Sequence, residues 1–87
     1  MRAAARDVQQ ALEKLTEGQT VSYKLPETFG GEFAHVQRNP EGKGKKYILS
    51  LEKTQADKPT GKKTLFMEHN SALFVAKWVN QFWGEKV

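Results

Sequence analysis

His35 and His69 are the only imidazoles in the chain, and Ser22, Ser50 and Ser71 supply its only serine hydroxyls. An imidazole beside a hydroxyl can make an oxygen nucleophile, and an imidazole beside cysteines or a second histidine can hold zinc. Neither arrangement is written into the spacing. There is no cysteine, the two histidines are far apart, and in "MEHN" the alternation of a strand sends Glu68 and His69 to opposite faces. No local run joins a serine to a histidine and an acid, so no catalytic triad is expected. "GKGKK" lacks the spacing and the terminal Ser or Thr of a phosphate-binding loop, and the pair Gly30 and Gly31 is no dinucleotide fingerprint. The residues therefore predict a protein that is not an enzyme and needs neither metal nor cofactor.

The remaining chemistry is charge. "NPEGKGKKYILSLEK", Asn39 to Lys53, carries four lysines in a turn followed by a strand. From Arg38 to Lys63 there are eight Lys or Arg against Glu41, Glu52 and Asp57, a balance of +5; residues 1–37 sum to −1 and residues 64–87 to zero. The net charge of +4 thus belongs to the middle of the chain. Clustered lysines attract polyanions, and they also keep a small protein soluble.

Periodicity shows what must carry those lysines. Ala4, Val8, Ala11, Leu12 and Leu15 share one stripe of a helix over about residues 3–16, with Gly18 as its stop. The period then falls to two. "QTVSYKLP", "GEFAHVQRN", "KYILSLEKT" and "KTLFMEH" read as four strands, separated by "ETFGG", by Asn39 to Gly44 and by "ADKPTGK". Short connections between them predict an antiparallel meander. Asn70 or Ser71 can cap a last helix with Val75, Trp78, Val79 and Phe82 on its apolar face, Phe74 and Trp83 on the wings, and Gly84 as its end.

The expected fold is one small α+β domain over residues 1–87, in the order α-β-β-β-β-α, with the C-terminal helix packed on one sheet face and Trp78 and Phe82 buried beneath it. Val21, Tyr23, Leu25, Ala34, Val36, Tyr47, Leu49, Leu51, Leu65 and Met67 would face that helix. Phe33, His35, Gln37, Ile48, Ser50, Glu52, Thr64, Phe66 and Glu68 would form the opposite surface. Rings on an open sheet beside ammonium groups suit single strands, in which bases stack and phosphates seek cations. Arg38, Lys43, Lys45, Lys46, Lys62 and Lys63, with Phe33 and Phe66, are the candidate contacts for single-stranded DNA or RNA. Glu52 and Glu68 would repel a phosphate backbone. Cover of this face by the first helix or by a second subunit is the competing expectation, so the alternative function is a protein-interaction module or homodimer without nucleic-acid affinity. The absence of a long apolar run predicts no membrane partner and a cytoplasmic location.

Overall fold

A computed structural model describes residues 4–24, 33–41, 44–55, 58–81 and 85–86 of the chain. The elements run α1 (Ala5–Glu13), β1 (Thr20–Lys24), β2 (Phe33–Arg38), β3 (Tyr47–Gln55), β4 (Lys58–His69), α2 (Ala72–Gln81) and β5 (Glu85–Lys86). The four expected strands form an antiparallel meander between two helices. The two-residue β5 then pairs antiparallel with β1, giving the order β4-β3-β2-β1-β5. Leu25, Gly30, Gly31, Lys43, Phe82, Trp83 and Gly84, each part of an expectation above, lie outside the described residues or the described side chains.

Both helix ends have local causes. Ser71 caps α2, its Oγ accepting the Phe74 N–H at 3.2 Å and satisfying one of the first-turn donors. Asn70 does something else: its Oδ1 accepts the Lys46 N–H at 2.9 Å, tying the β2–β3 turn to the start of α2. α1 stops at Glu13, short of the expected end, because the chain tightens there: the Leu15 N–H bonds the Leu12 carbonyl three residues back, at 3.1 Å. Gly18 is not the cap. Its φ of 83° turns the chain into β1, and its N–H donates to the Arg38 carbonyl at 2.9 Å.

The core holds Val8 and Leu12 of α1, Tyr23 of β1, Ala34 and Val36 of β2, Tyr47 and Leu49 of β3, and Val75, Ala76 and Val79 of α2. Strand alternation puts all of these sheet residues on one face, so both helices lie on the same side. The buried Tyr47 hydroxyl donates to the Leu12 carbonyl at 3.3 Å and joins β3 to α1. The expectation that α1 covers the opposite face is thereby overturned: its narrow stripe is used up on the shared core beside α2. Trp78 also differs from expectation. It is half-buried, and the small residue Ala76 takes the fully buried position between Val75 and Val79.

β4 departs most from its sequence reading. Pro59 and Gly61 belong to the strand rather than to the turn before it, which is tolerable because β4 is an edge and its outer N–H groups have no ladder partner to lose. Further along, Leu49 pairs with Met67 but Ser50 pairs with Leu65, leaving Phe66 as an extra residue in a bulge. One inserted residue exchanges the faces. Leu65, expected beneath α2, instead shares the face of Ser50 and is 58% exposed. Phe66 turns to the helix side, with its ring centroid 5.0 Å from that of Trp78. Thr64, opposite Leu51, moves to the helix side with it.

Candidate nucleic-acid interface

Among the described residues, neither helix lies on the face opposite the core. Pairing arranges its side chains in three rows across β1, β2, β3 and β4. Lys24, Phe33, Glu52 and Lys63 form one row, Ser22, His35, Ser50 and Leu65 the next, and Thr20, Gln37, Ile48 and Glu68 the third. Phe33 therefore has a lysine to each side, at one and two strand spacings, about 5 and 10 Å. Phe66 is not on this face, so the expected cluster of Phe33, Ile48 and Phe66 does not form.

The other candidate cations sit at the ends of β3. Lys45 and Lys46 are exposed in the β2–β3 turn, where their carbonyls accept from the Asn39 side-chain amide and backbone N–H, each at 2.9 Å. Lys62 and Lys63 are exposed on β4 beyond the hairpin, Lys63 paired with Glu52. The six residue steps from Lys46 to Glu52 separate the two groups by about 20 Å of strand. Arg38 is on the helix side, its guanidinium carbon 5.9 Å from the Tyr47 ring centroid. Lys46 Nζ lies 5.7 Å from the same centroid. Burial raises the Tyr47 hydroxyl above its ordinary pKa of 10.0, with Arg38 opposing and Glu13 reinforcing the shift.

The middle of the face holds a hydrogen-bond chain that local spacing does not reveal. Ser22 Oγ lies 2.6 Å from His35 Nδ1, and His35 Nε2 lies 2.7 Å from Glu52 Oε1. Glu52 Oε2 in turn accepts the Gly61 N–H at 2.6 Å. The Phe33 ring lies nearly parallel to the imidazole, 21° between planes and 6.4 Å between centroids. Glu52 is only 6% exposed. Its carboxyl is held below the ordinary value of 4.5, first by the His35 hydrogen bond, then by the Gly61 N–H and by attraction to His35 and Lys63, against the opposing effect of burial. An ionised carboxylate only accepts, so the imidazole carries a proton on Nε2; in the neutral ring Nδ1 then accepts the serine hydroxyl. Ser22 and His35 are 13 residues apart and His35 and Glu52 17 apart, so strand register alone unites them. The clue in the sequence is their shared parity on three consecutive strands.

Glu52 keeps its negative charge but is buried and hydrogen-bonded, whereas Glu68 is exposed in the far row. His69 is elsewhere, on the helix side, stacked on Phe74 at 4.1 Å and accepting the Ser71 N–H through Nδ1. A groove between α1 and β1, lined by residues including Asp7, Lys14, Leu15 and Val21, carries both charge signs and none of the candidate lysines. No described helix is long and apolar enough to cross a membrane. No family model, curated protein or solved structure matches the chain.

Proposed function

We propose that the chain binds single-stranded DNA or RNA across the uncovered sheet face. The observation that carries this reading is the row Lys24, Phe33, Glu52, Lys63: a ring flanked by two lysines, with the intervening acid engaged by His35 and Gly61. Bases stack on Phe33, phosphates meet Lys24 and Lys63, and the exposed turn lysines at either end of β3 extend the attraction beyond the row. Recognition of this type follows the backbone and the ring rather than base identity.

A protein partner or a second copy is the competing reading. Leu65, Phe66, Leu73 and Phe74, each at least 41% exposed along β4 and α2, are what favours it.

Fluorescence anisotropy with labelled single strands and duplexes, over a salt series, separates the two. Replacing Lys24, Lys45, Lys46, Lys62 and Lys63 together by Gln should lower the salt slope by about 3.5 units if all five reach phosphates, roughly 0.7 per contact. No salt-sensitive binding by the wild type, together with self-association in sedimentation, would instead assign the chain to protein contacts.

A further inference from the structure

We propose that Ser22 is a base-activated nucleophile able to take an acyl group from a small carboxylic ester, with His35 as its proton acceptor and Glu52 as the positioning residue.

Three features of the face converge on this. The hydroxyl and the imidazole are already in hydrogen-bond contact at 2.6 Å, so no rearrangement is needed for proton transfer. The far ring nitrogen is held at 2.7 Å by a carboxylate that is itself fixed by the Gly61 N–H, which selects the tautomer that leaves Nδ1 free to accept a proton. The side chains of Glu52 and His35 are sheltered, at 7% and 14% exposed, and Ser22, on β1, is partly buried like His35.

In the reaction, the Ser22 oxygen bonds to the ester carbonyl carbon as its proton passes to His35 Nδ1. The bond from that carbon to the alcohol oxygen breaks, and the departing alkoxide takes the proton from the imidazolium. Water then attacks the acyl-serine by the same route, releasing the carboxylic acid and restoring the hydroxyl. Besides the ester, water is the only reactant in the balance.

The test uses the whole chain and two probes, a fluorophosphonate and p-nitrophenyl acetate. Intact mass and peptide mapping should place a single phosphonyl adduct on Ser22, and Ser22→Ala should remove it. Release of nitrophenolate should show a burst with the same dependence on Ser22. His35→Gln should slow adduct formation about 100-fold or more, the lower range for loss of a positioned base. Glu52→Gln should slow it with a displaced pH–rate profile, a readout that mere loss of stability would not move. Circular dichroism identifies any variant that fails to fold, and the wild-type measurement stands without the variants. Absence of an adduct on Ser22 in the folded wild type overturns the proposal, as does an adduct whose rate is indifferent to His35 in a folded variant. Neither outcome touches strand binding, which is measured without the probes.

Discussion

Replacing Phe33 by alanine, with Phe74→Ala as its companion, tests the assignment of the sheet face most directly. The two rings look alike as candidates: Phe74 is 49% exposed and stacks on His69, and Phe33 is partly exposed and lies against His35. They differ in position, since Phe33 stands on the face opposite both helices, between Lys24 and Lys63, whereas Phe74 stands on the helix side. Loss of one base–ring stack is worth about 1–3 kcal/mol, which is roughly a 5- to 150-fold rise in Kd for a single strand. Phe33→Ala should show that rise for oligonucleotides of differing sequence and leave the salt slope unchanged, because no cation is removed. Phe74→Ala should leave Kd within about twofold, a change well under 1 kcal/mol. Anisotropy titrations of the three proteins over a salt series give the numbers, with thermal melts to confirm folding. An unaltered Kd for folded Phe33→Ala, or an equal loss from Phe74→Ala, would refute the stacking face and leave at most delocalised attraction by the lysines.

Other outcomes follow from the packing. Trp78→Ala should cost about 2 kcal/mol, below the 3–5 kcal/mol of a fully buried ring, because Trp78 is half-buried against Phe66; urea denaturation reads the difference. Tyr47→Phe should cost only about 1 kcal/mol in the same assay, since the Leu12 carbonyl that loses the hydroxyl still accepts the Leu15 N–H. Acid should unfold the protein partly through Glu52. A depressed carboxyl contributes stability that is fully present above the ordinary value of 4.5 and is lost as pH falls through the lower folded value, so this part of the acid-side decline should vanish in Glu52→Gln. Burial raises Tyr23 and Tyr47, which have the opposite sign: their contribution is present below pH 10.0 and is lost as pH rises through the raised folded values. Unfolding midpoints that are flat with pH on either side would contradict those assignments.

The order of the elements was legible because it rests on local physics. A period of 3.6 gave way to a period of two after Gly18 and returned after Asn70, and the turn residues between strands left no room for parallel crossovers. Ser71 as a cap and the parity of Tyr23, Val36, Tyr47 and Leu49 were equally local, since each depends on neighbours within a few residues. The candidate site was legible only in part. Phe33 and Lys63 fall on the face opposite the helices, but Arg38 and Phe66 fall on the helix side. Phe66 does so because of one bulged residue, and whether a strand bulges depends on its fit to the neighbouring strand rather than on its own alternation. Which face α1 would cover was likewise undetermined by its stripe, which fits either side of a sheet until α2 offers it a shared core. The chain from Ser22 through His35 to Glu52 is the clearest case. Each residue reads as an unremarkable strand position, and their chemistry exists only once the register of three strands brings a hydroxyl, an imidazole and a carboxylate within hydrogen-bond distance.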